Sequence, residues 1–424
     1  MNGNYINASF KDYENIPGLN IFERAEQHEG YLAYLRSNEF MNYRLQVTSG
    51  CGAEIELAED GYIKKGKYVS FVSNDYLGFT QHASVKDSVI NAIEEYGTGA
   101  GSSPLIGGYF DYHKQLEDKL SLFFNRPIGS TLTYTTGYTS NSASLLCLLK
   151  KEDIAIVDMA VHSSVYEGIM ATTTKRFLHN DVEALERILR NCRDTYRTKM
   201  VIIDGVYSQD GDIAKLNEIL EVTHQYGGVL MVDDAHGIGV IGEKGRGALE
   251  YFNVMNKVDI VTGTFSKTFA NIGGYVIADP KIITYLQFQS RQYAFSAAAT
   301  PAVAGVSKAI DLIDEEPQWK EQLWENINYY KKGLKEIGLN IGTTESAIIP
   351  VKIGDPYKNS EVGRILLQNG IYTNPIMYPA VSMKDSRIRM SIMATHTKEQ
   401  LDKALNVFDY INKKLEIAKS IEYE

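Results

Sequence analysis

Residues 258–274, VDIVTGTFSKTFANIGG, run from an apolar stretch into a lysine ringed by small polar residues. The apolar part has the length and β-branched content of a buried strand. Lys267 comes just after it, flanked by Thr264, Ser266 and Thr268. A surface lysine ordinarily sits in a helical pattern with acidic neighbours, and Lys267 has neither. A lysine shielded at a strand end loses its proton more easily and can attack a carbonyl carbon to form a Schiff base. The plainer reading is a solvated loop lysine.

The same arrangement recurs on either side. Short apolar runs at IAIVD (154–158), KMVIIDG (199–205), VLMVDDA (229–235) and YVIA (275–278) alternate with helical patterns at 139–151, 181–192 and 214–226. Such alternation predicts an α/β fold with a mostly parallel sheet covered by helices on both faces. Ligands of these sheets collect outside the carboxyl ends of the strands. The residues there are DMAVHSS (158–164), DGVYSQDGD (204–212), DDAHGIG (233–239) and TGTFSK (262–267), which bring Asp, His, Ser and Lys together. A helical pattern at 22–40 lies in an N-terminal arm. A long amphipathic one, WKEQLWENINYYKKGLKEIG (319–338), precedes β patterns at AIIPVKI (347–353) and RIRMSIMA (387–394). The expected organisation is an arm over 1–66, a large domain over 67–310 and a smaller α+β domain over 311–424.

Composition narrows the function classes. The 424 residues are 44% hydrophobic and 23% charged, with a net charge of -10. That balance argues against a nucleic-acid or anionic-membrane surface, since both need clustered Lys and Arg. Three scattered cysteines, Cys51, Cys147 and Cys192, suit a reducing compartment and suggest neither a disulfide framework nor a metal site. No apolar run reaches transmembrane length, and the polar N-terminus does not read as a signal peptide. The expectation is a cytoplasmic protein without a transmembrane segment, with peripheral membrane contact left open.

Each remaining candidate has a chemical and a plain reading. Asp233, at the end of a strand, can keep a ring nitrogen protonated, as an electron-sink pyridine requires; a helix cap is as common. His236 can donate to a phenolate oxygen, and Ser208 can bond the same oxygen. His162 can lie flat on a planar cofactor. For these three the plain readings are a structural histidine and loop chemistry. Thr136 and Gly137 precede a helix whose first N–H groups and dipole suit a phosphate, with Thr264 and Ser266 able to complete the cradle. GIGVIG (237–242) matches the dinucleotide fingerprint, but Asp234, Ala235 and His236 separate it from its strand, and EKGRG follows where a helix should be running.

Taken in order, FVSNDYLGFT (71–80), YGTGAGSS (96–103), HKQLE (113–117), DGVYSQDGD, VDDAHGIGVIGEKGRG (232–247), GTFSKTFANIGGY (263–275) and RIRMSIMATHT (387–397) resemble the α-oxoamine synthases. These are pyridoxal-phosphate enzymes of fold-type I aminotransferase architecture. The resemblance implies roles for individual residues. Lys267 would hold the aldehyde of pyridoxal 5'-phosphate and shuttle a proton. Asp233 would pair with the pyridinium nitrogen, His236 and Ser208 with the ring hydroxyl, and His162 would stack on the ring. Gly137, Tyr138, Thr264 and Ser266 would cradle the phosphate, with Thr300 reaching in from a second subunit of a homodimer. Asn74 and Arg389 would meet the amino-acid carboxylate, although Arg387 shares the face of Arg389. The implied reaction is the decarboxylating condensation of an amino acid with an acyl-CoA or acyl-carrier-protein thioester.

GTFSK, SIMATHT and YTNPIMYPAV (372–381) resemble the bacterial serine palmitoyltransferase branch. Pro104 and Tyr109 depart from its usual Arg and small hydroxyl residue, and the arm is longer. The amino acid therefore stays open among serine, cysteate, alanine and glycine. Two rivals are a nicotinamide oxidoreductase, which needs GIGVIG at a strand–helix turn, and a non-catalytic partner of the same fold, which would lack the lysine.

Overall fold

The computed structural model describes residue 5 and residues 8–418, so residues 1–4, 6 and 7 of the expected arm and 419–424 of the expected small domain lie outside the described residues. In chain order the strands are β1 (Glu54–Leu57), β2 (Gly66–Ser70), β3 (Thr131–Tyr134), β4 (Ile154–Asp158), β5 (Thr173–Phe177), β6 (Lys199–Asp204) and β7 (Val229–Asp233). They continue with β8 (Ile260–Thr264), β9 (Gly274–Ile277), β10 (Ile348–Gly354), β11 (Ile371–Tyr372), β12 (Asn374–Ile376) and β13 (Ser386–Ser391).

The chain divides into two compact units. The larger comprises 75–208 and 212–321; the smaller joins 1–74, 209–211 and 322–424. Contacts thus group the N-terminal segment with the C-terminal one, where the sequence pattern suggested three consecutive segments. The division falls inside the helix Gln318–Glu336.

The larger unit is built on a seven-stranded sheet in the order β3-β9-β8-β7-β6-β4-β5. Pairing is parallel from β8 through β5, while β9 runs antiparallel to both β8 and β3. β4 and β6 are buried at every position, as strands covered on both faces must be. Helix Gly137–Leu148 contributes Ala143, Leu145 and Cys147 to a core shared with Leu132, Ile260 and Val276. The register sets Asp204 beside Asp233 and Asp233 beside Thr262, so neighbouring strands end in one polar row.

The loop at 237–242 forms no helix, only turns such as that closed by Ile241 N on Gly237 O. Gly239, Gly242, Gly245 and Gly247 all have positive φ, and the next helix is the short Ala248–Tyr251. A phosphate-binding strand–helix turn is absent there, which removes the structural basis for the nicotinamide reading.

The smaller unit holds two three-stranded sheets, β1-β2-β11 and β10-β13-β12. β2 pairs with β11 in parallel, Val69 opposite Ile371. Arg389 on β13 faces Pro350 on β10 and Asn374 on β12. Leu323, Ile327, Tyr330 and Leu334 form the buried stripe of helix Gln318–Glu336, at the spacing of one helix face. Among the described residues no helix is long and apolar enough to cross a membrane.

Candidate active site

The site grows from the chain's behaviour after β8. Phe265, Thr268 and Phe269 are fully buried, with the Thr268 hydroxyl donating to Ile238 O at 2.7 Å. The two residues between these anchors, Ser266 and Lys267, are left to face a cavity of about 310 Å3. Ala270, at φ 59°, closes the turn with its N–H on Lys267 O.

Gly137, Tyr138, Asn141, His162, Asp233, Thr264, Ser266 and Lys267 all line this cavity. The helix Gly137–Leu148 opens onto it, capped by Thr136, whose Oγ1 accepts from Thr139 N at 2.9 Å. The N–H groups of the first helical turn have no partner within the helix. Only glycine fits at 137, because a Cβ there would lie 2.5 Å from Thr264 Cβ. Thr264 Oγ1 lies 2.7 Å from Ser266 Oγ and donates to Gly273 O at 3.1 Å. Backbone donors, hydroxyls and a helix dipole therefore meet in one corner, a donor set that suits a phosphate.

Opposite that corner, one amide holds two groups in place. Asn141 Nδ2 donates to Asp233 Oδ2 at 2.6 Å and to Ser164 Oγ at 3.0 Å. Asp233 Oδ1 also accepts from Ala235 N. Ser164 Oγ lies 2.8 Å from His162 Nδ1, and Ser164 N–H donates to that same nitrogen, which leaves the ring proton on Nε2. Desolvation by the surrounding protein holds the His162 imidazole below its ordinary value, opposed by Asp233 and reinforced by Lys267. A neutral, flat ring is thus presented to the cavity. Asn141 Oδ1 is buried without a hydrogen-bond partner among the described residues, a further polar atom next to the cavity.

Tyr138 is exposed, its ring edge-on to His162 and its hydroxyl donating to Glu167 at 2.5 Å. His236 is buried rather than lining the cavity, with Nδ1 2.7 Å from the Tyr76 hydroxyl. Ser208 is half-buried in the loop after β6. Thr300 and Ser296 are exposed in the single chain and lie outside the cavity lining. Asn74 and Arg389 belong to the smaller unit, where Arg389 donates to Asn74 Oδ1 at 3.1 Å and to Ser391 Oγ at 2.8 Å. Arg387 is already committed: its guanidinium pairs with Asp210 and Asp385 and bonds Gln209 O.

Sequence reasoning did not single out Asn141, Ser164, Tyr76 or Asp204. Asn141 had a signal, since it stands one helical turn beyond Gly137 on the same face. Tyr76 had none. Asp204, buried at the end of β6, is pushed well above the usual carboxylate range by burial and then by Asp233.

Residues 66–408 match the family described as Aminotransferase class I and II. The chain is 39% identical over 352 residues to 8-amino-7-oxononanoate synthase of Thermoanaerobacter pseudethanolicus, covering 82% of this chain and 89% of that one. It is 37% identical over 411 residues to serine palmitoyltransferase of Sphingobacterium spiritivorum, covering 96% and 98%. A serine palmitoyltransferase of S. paucimobilis, solved with pyridoxal phosphate and myriocin bound, superposes with a TM-score of 0.88 at 27% identity, over 94% of this chain and 100% of that one.

If Asn141 orients Asp233, Asn141→Ala should weaken pyridoxal phosphate binding on the order of ten- to hundredfold, the value of a hydrogen bond to a charged group. Equilibrium titration of the apoprotein followed by absorbance measures this. Wild-type affinity in the variant would mean that Asp233 holds its place unaided.

Proposed function

We propose that this chain, which belongs to the class I and II aminotransferase family and within it to the α-oxoamine synthases, condenses serine with a long-chain acyl thioester. The products are an α-amino ketone, CO2 and the free thiol. The chain is a pyridoxal-phosphate-dependent C-acyltransferase; serine and the long acyl chain are the finer part of the reading. What supports that part is the likeness of GTFSK, SIMATHT and YTNPIMYPAV to the serine palmitoyltransferase branch, together with the TM-score of 0.88 to the S. paucimobilis enzyme. Neither identity, 37% against 39%, nor coverage separates the two kinds of relative, since an 8-amino-7-oxononanoate synthase match spans 90% of this chain and a serine palmitoyltransferase match 86%.

The residues of the cavity fit the cofactor. When bound, pyridoxal phosphate supplies an aldehyde for an amino group and a conjugated ring that takes up the electron pair left at the amino acid Cα. Lys267 is the amine that would hold the aldehyde and would serve as the base for the Cα proton of the amino acid. Asp233, oriented by Asn141, keeps the ring nitrogen protonated. His162, whose neutral ring lines the cavity, would pack against the cofactor ring. The helix start at Gly137 and Tyr138, with the hydroxyls of Thr264 and Ser266, holds the phosphate. His236 and Ser208 serve the ring oxygen, and Arg389 with Asn74 takes the carboxylate of the amino acid. Arg389 is preferred over Arg387 because two carboxylates already neutralise Arg387.

A homodimer belongs to the same reading, with Thr300 entering the partner's site. Supporting it, Leu105, Ile106 and Phe295 are exposed on the segments Pro104–Ile106 and Arg291–Phe295, which pack against each other, and the second of these shortly precedes Thr300 in the sequence. A cytoplasmic location is proposed as well, and three free thiols suit its reducing conditions.

Three experiments test these proposals. Titrating serine, cysteate, alanine and glycine while following cofactor absorbance should show serine perturbing the spectrum at the lowest concentration, with palmitoyl thioester then releasing thiol. A stronger response to another of the four would reassign the amino acid within the same chemistry. Lys267→Ala should still bind cofactor but lose exchange of the Cα proton with deuterium by at least about 10²–10⁴-fold, the usual cost of removing a general base. Wild-type exchange in that variant would take the base role away from Lys267. Ile106→Glu should turn a dimer, seen by light scattering, into an inactive monomer; a fully active monomer would overturn the shared site.

A further inference from the structure

Beyond the cavity lies a charged cluster that none of the roles above uses. Asp158, at the end of β4, is completely buried. Its carboxylate accepts from Ala160 N at 2.8 Å, from Asn180 N at 2.9 Å and from the Tyr207 hydroxyl at 3.0 Å. His179, just past β5, places Nδ1 3.2 Å from Asp158 Oδ1 and Nε2 2.8 Å from Asp212 Oδ2. Asn180, at φ 55°, runs parallel to it, with Nδ2 on Asp212 Oδ2 at 3.2 Å and on Ile213 O at 3.3 Å.

The two ring contacts decide the state of His179. A neutral imidazole has one N–H, so one of its nitrogens would set a lone pair against a carboxylate. An imidazolium donates at both ends and offsets part of the charge of two acids that are otherwise hard to bury together. Burial draws the imidazole pKa down, but the hydrogen bonds to Asp158 and Asp212 outweigh it and lift it to about 10.

What the cluster ties together is specific. The loop 205–214 is closed by the bridge between Val206 and Ile213 and by Tyr207 N–H on Asp212 O. Ser208 directly follows Tyr207 in that loop. Both flanks of its tip are anchored to the cluster, Tyr207 through Asp158 and Asp212 through His179. The His179 and Tyr207 rings also meet edge to face at 4.3 Å. Asp158 at the same time caps the turn that leads to His162, through Ala160 N and Val161 N.

We propose that His179, doubly protonated between Asp158 and Asp212, is a positioning residue that fixes the Ser208 loop relative to the His162 turn, and thereby the two sides of the cofactor ring. The inference rests on the reading of Ser208 and His162 as cofactor-facing residues. His179 lies outside the cavity lining and acts only through these loops.

In the holoenzyme, nitrogen-15 spectra of the eight histidines should show one ring still doubly protonated at pH 8.5; eight neutral rings would overturn the proposal. His179→Gln should raise the Kd for pyridoxal phosphate about tenfold and shrink the rise in Tm that the cofactor brings. A merely structural residue would lower Tm equally with and without cofactor and leave Kd unchanged, which would also overturn it. If His179→Gln does not fold, Tyr207→Phe keeps the ring, removes one tether, and should raise Kd in the same direction; an unchanged Kd there counts against the proposal. Ser208→Ala separates the two layers. Unchanged affinity in Ser208→Ala overturns the reading of that loop and this inference with it, whereas loss there without loss in His179→Gln overturns the inference alone.

Discussion

A sheet packed on both faces has room for charge only where its strands stop, and that constraint shapes everything around the cavity. β4, β7 and, beyond its first residue Lys199, β6 are apolar until they end at Asp158, Asp233 and Asp204. Gathering three acids in so small a region is costly, and the raised Asp204 carboxyl records that cost. Donors bring it down. Backbone N–H groups of Ala160 and Ala235, the amide of Asn141, the Tyr207 hydroxyl and the His179 ring all point at these carboxylates. The polar groups that hold the strand ends together are also those that aim the chemistry.

Much of this was legible along the chain because the relevant signals are local. A β-rich run closed by Asp, or followed within three residues by Lys, marks a strand end, and β4, β6, β7 and β8 all carry that mark. β5 escaped notice because an edge strand with sequence TTKRF exposes its first four residues and shows no apolar run. Asn141 escaped for another reason. Its place on the Gly137 face could be read from helical spacing, but its partner is Asp233, 92 positions away. The Asp158–His179–Asp212 cluster spans shorter intervals, 21 and 33 positions, but its members sit on a strand end and two separate loops. Spacing reports which side chains share an element and is silent on which elements meet.

The two arginines of β13 and the glycines at 237–242 show the same limit from the other side. Arg387 and Arg389 alternate on one strand face, and sequence treats them alike. In the folded unit Arg387 is locked to Asp210 and Asp385, while Arg389 donates to Asn74 and Ser391. The glycines satisfy a familiar spacing, yet the positive φ angles of Gly239 and Gly242 and the tight space around all three serve loop packing. At Gly239, for example, a Cβ would lie 2.2 Å from the Thr268 side chain. A motif is a constraint on backbone shape before it is a sign of any ligand.

The smaller unit gathers residues from both ends of the chain, and this has a consequence during synthesis. β2 finishes its sheet only by pairing with β11, Val69 against Ile371, about 300 residues later. At a ribosomal pace of about 5–20 residues per second, roughly 15–60 s pass before that partner exists. Throughout the interval the edge of β2 is an open template for strand addition from other nascent chains. The larger unit, by contrast, lies in one nearly continuous stretch and can fold as it emerges. The newborn protein therefore carries an adhesive N-terminal strand beside a finished domain, a state in which protection by chaperones matters more for the first 74 residues than for the catalytic centre.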